Sequence, residues 1–219
     1  MPDNPPLLRI EGLSVCYPGQ DAGVTAVDQV SLSLAAGEIL AVIGESGAGK
    51  SAIAQAIPGL LPANAIVSGK ILFQGIDLLR LNRTELSTLR GREIAMVFQD
   101  PTSSLAPVFS VGTQLDESIA LCDPSLKAAQ RKARAIELLS QVGIPQADKR
   151  LKNYPHQFSG GQIQRIMIAM ALAGRPKMLI ADEPTTALDV TTQQEILDLL
   201  FSLNQQSGMA LLLITHDMG

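Results

Sequence analysis

The sequence has two cysteines, no long hydrophobic run and no dense block of positive charge, and each absence narrows the possible functions. Cys16 and Cys122 lie far apart and lack the CxxC or Cys/His spacing of a metal site, so we expect two ordinary buried thiols in a reducing cytosol. The longest apolar runs, at 166–173 and 209–214, are much shorter than the roughly 18–20 residues that span a membrane. The sequence therefore predicts a soluble chain.

The charge balance is acidic, with a formal net charge of −4 over 219 residues. This balance disfavours a nucleic-acid-binding protein that relies on a basic field. The densest basic segment, 127–134, has the pattern of the solvent-exposed face of a helix. The length suits one large domain or a core with an insertion, and we expect a single domain, 1–219.

Hydrophobic patterning predicts alternating strands and helices along most of the chain. Strands are expected at 7–17, 27–34, 38–44, 69–78, 93–99, 177–183 and 209–216, with a turn at 17–20. Helices are expected at 51–57, 111–122, 125–143, 163–173 and 191–208. Because several strands are apolar throughout and are separated by helices, we expect an α/β fold with a parallel sheet covered on both faces.

The glycine-rich segment 44–51, GESGAGKS, lies between a predicted buried strand and a predicted helix. In that context, glycines let backbone N–H groups approach phosphate oxygens that a Cβ would obstruct. The N-terminus of the following helix faces the same anion. Lys50 is then expected to reach the β- and γ-phosphates, and the Ser51 hydroxyl to ligate Mg²⁺. The alternative is a strand-to-helix connection that binds no ligand.

A second candidate site is the carboxylate pair Asp182 and Glu183, which ends a predicted buried strand. Adjacent residues of a strand point in opposite directions. We therefore expect Asp182 to face the Mg²⁺ shell and Glu183 to face the attacking water as general base. The alternative is a pair of solvated acidic side chains at a strand end.

A third motif, FSGGQ at 158–162, precedes a predicted helix. Ser159 is a suitable N-cap, and Gly160 and Gly161 leave amides open at a helix N-terminus, which favours a second anion site. The alternative is an ordinary helix cap. Together with the two preceding motifs, this segment resembles the LSGGQ signature of ATP-binding-cassette (ABC) ATPases, with Phe158 in place of leucine. The resemblance extends over nearly the whole chain.

This resemblance implies the architecture of a P-loop NTPase (ABC ATPase). Its core, 1–99 and 160–219, has a mainly parallel sheet and an N-terminal antiparallel β subdomain, and 100–159 forms an inserted helical subdomain. It also implies ATP and Mg²⁺ as cofactors, bound between two ATPase subunits in a head-to-tail homo- or heterodimer. In such a dimer the signature of one subunit closes on the γ-phosphate held by the other.

The same resemblance assigns roles to single residues. Gln99 is similar to the glutamine that reaches Mg²⁺ and the attacking water, and His216 to the histidine that contacts the γ-phosphate. Asp189 lies in a segment, TTALD, that resembles the loop crossing the dimer interface. Tyr17 is similar in position to the aromatic residue that stacks on adenine. The implied catalytic residues are Gln99, Glu183 and His216, and the implied metal ligands are Ser51, Gln99 and Asp182. The implied nucleotide contacts are Tyr17, Gly44, Glu45, Ser46, Gly47, Ala48, Gly49, Lys50, Ser51, Ser159, Gly160, Gly161, Gln162 and Asp189.

Longer matching segments, YPHQFSGG at 154–161 and ADEPTTALDV at 181–190, are similar to those of ATPase subunits of di- and oligopeptide importers. Nickel importers are close relatives of that group. This similarity implies a peripheral protein at the cytoplasmic face of the membrane. Its partners would be transmembrane permease subunits and, indirectly, an extracytoplasmic solute-binding protein, without nucleic acid. Ala106 departs from the family, which usually has asparagine there.

A second departure is that the sequence stops at Gly219, where family members continue with further helix and strand. We therefore expect a truncated subunit whose last strand, 209–216, lacks neighbours that would cover it. Two alternatives remain open: a nucleotide-binding module that does not hydrolyse ATP, and a cassette ATPase of DNA repair or translation. The acidic charge and the importer-like motifs disfavour the second alternative.

Overall fold

The computed structural model describes residues 5–19, 23–99, 104–186 and 188–216. Within these ranges the strands are β1 Leu8–Tyr17, β2 Val24–Leu34, β3 Ile39–Ile43, β4 Ile66–Phe73, β5 Ile76–Asp77, β6 Ile94–Val97, β7 Met178–Asp182 and β8 Ala210–Thr215. The α-helices are α1 Lys50–Ala56, α2 Arg83–Leu89, α3 Val111–Cys122, α4 Ala128–Gln141, α5 Ala147–Arg150, α6 Gly160–Ala171 and α7 Val190–Ser207. Short 3₁₀ turns lie at Leu78–Arg80, Pro155–Gln157 and Leu172–Gly174.

The first sheet is antiparallel, with the strand order β2-β1-β4-β5. The segment 69–78, expected as one strand of a hairpin, itself contains a hairpin turn, since Phe73 of β4 pairs with Ile76 of β5 across the two residues Gln74-Gly75. The predicted turn at 17–20 extends beyond the described residues. Both cysteines are free, but both are only partly buried, so the expectation of buried thiols is wrong.

The second sheet is parallel, with the strand order β3-β8-β7-β6, which confirms the predicted parallel sheet. Its register pairs Ile43 with Thr215, and Asp182 with Ile214. The carboxyl ends of β3, β7 and β8 therefore meet at one edge, beside the end of β6. This edge of an open parallel sheet is where α/β proteins bind their ligands.

The central strands β7 and β8 of the parallel sheet are buried on both faces because their side chains alternate between two hydrophobic clusters. Leu179 and Leu211 belong to the cluster formed with the helices of the second half of the chain. Ile180 and Leu212 belong to the cluster shared with α1 and the antiparallel sheet. The sheet is thus the layer that joins the two halves of the structure.

Two expectations about individual strands are wrong. The segment 38–44 was expected to be buried, but β3 is an edge strand in which Ile39 and Ile43 are exposed. Conversely, β8 was expected to lack covering neighbours, yet it lies between β3 and β7 and is buried from Ala210 to Ile214. Apolar composition indicates a strand of the core sheet but does not reveal its place in the strand order.

The described part of 104–159 is helical and contains α3, α4 and α5. Its first loop departs from the family at Ala106, where the backbone is held by the buried side chain of Gln114. The Gln114 amide donates to the carbonyls of Ala106 and Phe109, at 3.1 and 3.0 Å, and its oxygen accepts from the Ala106 amide at 2.8 Å. The local turn is therefore satisfied without asparagine. The boundaries 100–159 stay a prediction.

Candidate nucleotide-binding site

The glycine-rich loop leaves the carboxyl end of β3 and leads directly into α1, as predicted. Gly49 is the helix N-cap with φ 83°, and a Cβ there would lie 1.9 Å from the carbonyl oxygen of Ala26 on β2. The residue must therefore be glycine, both for its backbone conformation and for its contact with the antiparallel sheet. The loop residues 45–48 are exposed to solvent and are therefore accessible to a ligand.

Lys50 is buried beneath this loop. Its Nζ donates to the carbonyl oxygens of Gly44 and Glu45, at 2.8 and 2.7 Å, and lies 4.0 Å from Oε1 of Glu183. A buried ammonium is costly unless it is paired and hydrogen-bonded, and these three contacts satisfy it. The loop thus holds one positive charge at the edge where the strands end.

Ser51 and Asp182 face each other across the same edge. The Ser51 hydroxyl donates to Oδ1 of Asp182 at 3.0 Å, and the Asp182 side chain is buried. Burial raises the pKa of Asp182 above its usual value, and the neighbouring Glu183 charge raises it further. The hydrogen bond from Ser51 and the charge of Lys50 act in the opposite direction.

Glu183 follows β7 but does not continue it. Its φ is 46°, in the left-handed region that non-glycine residues rarely adopt, and its amide donates to the carbonyl of Ile214 at 2.9 Å. The two carboxylates therefore do not point in different directions because adjacent residues of a strand face opposite sides of the sheet, as expected from the sequence. The backbone turn after Asp182 places the two carboxylates, and such local strain is characteristic of functional sites.

Three side chains converge on one oxygen of Glu183. Gln99 Nε2 donates to Oε2 at 2.8 Å, Thr186 Oγ1 donates to the same oxygen at 3.0 Å, and His216 Nδ1 lies 3.5 Å from it. The structure thus brings together Gln99, Glu183 and His216, which the sequence suggested separately. Thr186 was missed, although its position three residues after Glu183, within the segment EPTT, is compatible with such a turn.

Tyr17 lies apart from these contacts, at the end of β1, where it pairs with Val24 of β2 and packs against the second hydrophobic cluster. The link to the loop is indirect: Gly49 contacts Ala26, and the next residue of β2, Val27, pairs with Val15 of β1. Tyr17 therefore lies two residues beyond Val15 on β1, the strand that pairs with the one bordering the loop. Its contact with adenine stays a prediction.

The signature segment begins α6 and has a reciprocal cap. Ser159 Oγ accepts from the Gln162 amide at 3.3 Å, and Gln162 Oε1 accepts from the Ser159 amide at 3.2 Å. A Cβ on Gly161 would lie 2.5 Å from Cγ2 of Thr192 on α7, whereas one on Gly160 would have ordinary contacts. Gly161 is thus also needed for the packing of α6 on α7.

Asp189 caps α7 beside this segment. Its Oδ1 accepts from the Thr192 amide at 3.0 Å, and its Oδ2 accepts from the Thr192 hydroxyl at 2.7 Å. These hydrogen bonds lower the pKa of Asp189. Thr192 therefore links the cap of α7 to the helix that carries Ser159 and Gly161. In the part of the chain that the structure describes, this group shares no hydrogen bond with the cluster around Lys50 and Glu183.

The residues near the strand ends suit a hard divalent cation. Ser51 and Asp182 offer a hydroxyl and a carboxylate oxygen within 3.0 Å of each other, which is the donor type that Mg²⁺ prefers. The described ranges contain no group of three or more His, Cys, Asp or Glu side chains arranged to hold a metal. A cation here would therefore take further ligands from water and from a bound phosphate, which is the usual arrangement for Mg²⁺.

Comparison with known proteins accounts for this combination of loop, carboxylates and helix cap. Residues 27–186 match the family described as ABC transporter. The chain belongs to the ABC transporter family. The matched range includes the glycine-rich loop, the Asp182-Glu183 pair and the signature segment of this ABC chain, and in the described residues no helix is long and apolar enough to cross a membrane.

Among curated proteins, the ABC chain is 52% identical to a peptidoglycan transport ATP-binding protein of Agrobacterium fabrum over 98% of its length, and covers 39% of that protein. It is 50% identical to a dipeptide transport ATP-binding protein of Escherichia coli, with 97% and 65% of the two chains covered. An oligopeptide transport ATP-binding protein of Salmonella typhimurium is 48% identical, with 97% and 63% covered. The chain thus spans less than two thirds of the length of these relatives.

Solved ABC structures share the fold. A dimeric ATP-binding cassette in a post-hydrolysis state, bound to ADP and inorganic phosphate, has a TM-score of 0.84 and 30% identity, covering 96% of this chain and 88% of that one. A subunit of an ABC transporter complex from Clostridium perfringens has a TM-score of 0.78 and 30% identity, covering 98% and 80%. The predicted ABC ATPase fold class is confirmed.

Proposed function

We propose that this chain binds and hydrolyses Mg·ATP as the nucleotide-binding subunit of a transporter. The observation that carries the proposal is the cluster at the carboxyl ends of the parallel strands. There Lys50 lies under the loop, Ser51 bonds Asp182, and Glu183 accepts a hydrogen bond from Gln99. These are the parts that phosphoryl transfer needs: a cradle for phosphates, oxygen ligands for a cation and a carboxylate to activate water.

Each residue has a defined task in this proposal. Lys50 exchanges its hydrogen bonds with the loop carbonyls for the β- and γ-phosphate oxygens, because a charge-assisted bond to phosphate is stronger than one to a neutral carbonyl. Ser51, Asp182 and Gln99 would hold Mg²⁺, which neutralises charge on the phosphates when bound. Glu183 accepts a proton from the water that attacks the γ-phosphorus, and ADP leaves. His216 contacts the γ-phosphate.

The separate location of the signature segment supports a two-chain site. Gly160 and Gly161 lie in the first turn of α6, where backbone amides have no carbonyl partner within the helix, whereas the Ser159 and Gln162 amides are used by the reciprocal cap. Because the signature segment shares no hydrogen bond with Lys50 among the described residues of the same chain, we propose that it closes on the nucleotide of a second ATPase subunit, arranged head to tail. Asp189 lies at the interface between the two subunits, and Tyr17 stacks on adenine.

The transported solute is proposed from the relatives. Proteins named for dipeptide, oligopeptide and peptidoglycan transport are about half identical to this chain, which favours a peptide importer, with nickel importers as the alternative. The partners would be transmembrane permease subunits and, through them, an extracytoplasmic solute-binding protein. The chain would then act at the cytoplasmic face of the membrane.

Phosphate release by the purified chain with Mg·ATP tests this function. We expect turnover that rises more than linearly with protein concentration, since two chains form each site, and that disappears in Lys50→Ala. Lys132→Ala, at an exposed position of α4, is the matched control and should keep wild-type turnover. Nucleotide binding without turnover at any concentration would contradict hydrolysis and favour a nucleotide-binding module.

A further inference from the structure

Thr186 differs from the other side chains close to the Glu183 carboxylate in where it comes from. Gln99 follows β6 and His216 follows β8, so both reach the carboxylate from neighbouring strands. Thr186 belongs to the same turn as Glu183: its amide donates to the Glu183 carbonyl at 3.2 Å, and its hydroxyl donates to Oε2 at 3.0 Å. Thr186 therefore bonds both the backbone and the side chain of Glu183.

The two oxygens of the carboxylate have different surroundings. Oε2 receives hydrogen bonds from Thr186 and Gln99, whereas the Lys50 ammonium lies 4.0 Å from Oε1. A carboxylate held at one oxygen keeps a fixed orientation, and the other oxygen is the one left to accept a proton. Errors of about 1 Å in such placement cost large factors in rate.

We propose that Thr186 is a positioning residue that holds Oε2 of Glu183 so that Oε1 faces the attacking water. This inference rests on the proposed ATP hydrolysis, in which Glu183 is the base. The left-handed backbone of Glu183, with φ 46°, makes the hydroxyl contact more important, because a strained residue persists only when its surroundings fix it.

The test compares Thr186→Val, which keeps the shape of the side chain but removes the hydroxyl, with Thr186→Ser, which restores it. The matched control is Thr185→Val, since Thr185 contributes its backbone carbonyl, which accepts from Gln193 Nε2 at 3.3 Å. We expect Thr186→Val to lower kcat about tenfold, as for one lost hydrogen bond to a charged group. KM and nucleotide affinity should stay within about twofold, because the lost contact acts on the chemical step.

Rescue and coupling separate positioning from a general structural effect. Thr186→Ser should recover kcat to within about threefold, and Thr185→Val should match wild type. In a Glu183→Gln background, adding Thr186→Val should have little further effect, because residues that act through one another are not additive. An equal loss in both backgrounds, or a Thr186→Val enzyme with unchanged kcat, would overturn the proposal while leaving ATP hydrolysis intact.

A wild-type chain that hydrolyses no ATP would instead overturn the proposed function. The position of the Glu183 carboxylate can then still be tested by crystallography, which does not require activity. Crystal structures of wild type, Thr186→Val and Thr186→Ser should show the Glu183 carboxylate displaced by about 1 Å or more in the valine variant alone. A carboxylate in the same place in all three would show that Thr186 does not position it.

Discussion

Ser51 Oγ donates a 3.0 Å hydrogen bond to Asp182 Oδ1, although the two residues are 131 positions apart in the sequence. The contact joins the start of α1 to the end of β7. It exists because β3 and β7 lie in one parallel sheet, with β8 between them. With Ser51 as its hydroxyl partner, the buried Asp182 carboxylate still has lone pairs with which it could bind a cation.

Asp182→Asn tests the cost of this buried carboxylate. Burial raises the pKa of Asp182 in the folded state, so the folded state binds the proton more tightly than the unfolded state does. The free energy of unfolding therefore falls as the pH rises from the ordinary pKa of an aspartate through the raised pKa of Asp182. We expect the asparagine variant to be more stable than wild type at neutral pH, by about 1 kcal/mol, in urea unfolding without nucleotide.

The difference in stability between wild type and Asp182→Asn should depend on pH. Lowering the pH towards the raised pKa protonates Asp182 in the wild type, so the stability advantage of Asp182→Asn should shrink. Asp148→Asn, on the short helix α5, is the control and should show no comparable gain at neutral pH. A wild type that equals the asparagine variant at neutral pH would contradict a destabilising buried charge.

Glu183→Gln should separate binding from hydrolysis. The amide cannot accept a proton as a carboxylate does, and a general base contributes roughly 10²–10⁴ in rate, so phosphate release should slow by about that factor. ATP binding, measured by calorimetry with Mg²⁺ present, should be retained because Lys50 and Ser51 are unchanged. Turnover at the wild-type rate would show that Glu183 is not the base.

Gly49→Ala and Gly47→Ala form a matched pair in the phosphate loop. Both glycines have φ near 80°, but a Cβ at Gly49 lies 1.9 Å from the Ala26 carbonyl oxygen, whereas Gly47 has open space around it. Gly47→Ala should cost about 1–2 kcal/mol from left-handed strain alone, and Gly49→Ala about 3 kcal/mol or more. Thermal unfolding measures both; equal losses would mean that the contact with β2 is unimportant.

Gly161→Ala and Gly160→Ala make the same comparison in the signature segment. A Cβ at Gly161 lies 2.5 Å from Thr192 Cγ2, and one at Gly160 lies 3.5 Å from Leu188 Cδ2. Because alanine favours a helix more than glycine does, Gly160→Ala should be neutral or slightly stabilising. Gly161→Ala should lose about 1–3 kcal/mol by overpacking, and a neutral result in denaturant unfolding would exclude tight packing of α6 on α7.

Local sequence patterns predicted most of the elements. The buried strand expected within 177–183 and the stop at Gly143 after α4 both depend on neighbours in sequence, and the structure bears them out. The phosphate loop was also visible, because its glycines, lysine and serine have a spacing that few other structures require.

The positions of the strands within the sheet were not predictable in the same way. Both β3 and β8 are apolar segments of similar length, yet β3 is at the edge and β8 is covered on both sides. Strand order depends on long-range pairing, which a local pattern of hydrophobicity does not contain. The expectation of an uncovered last strand was wrong for this reason.

The sequence by itself determined the parts of the site: the loop that precedes Lys50, the acidic pair after an apolar strand, and the glycine-rich start of α6. Only the tertiary structure decided how they meet. It placed Gln99, Thr186 and His216 around one oxygen of Glu183, and it kept the signature segment in a separate group capped beside α7. The physical reason is that residue type and spacing set local chemistry, whereas the register of parallel strands and a left-handed turn set the distances between distant side chains.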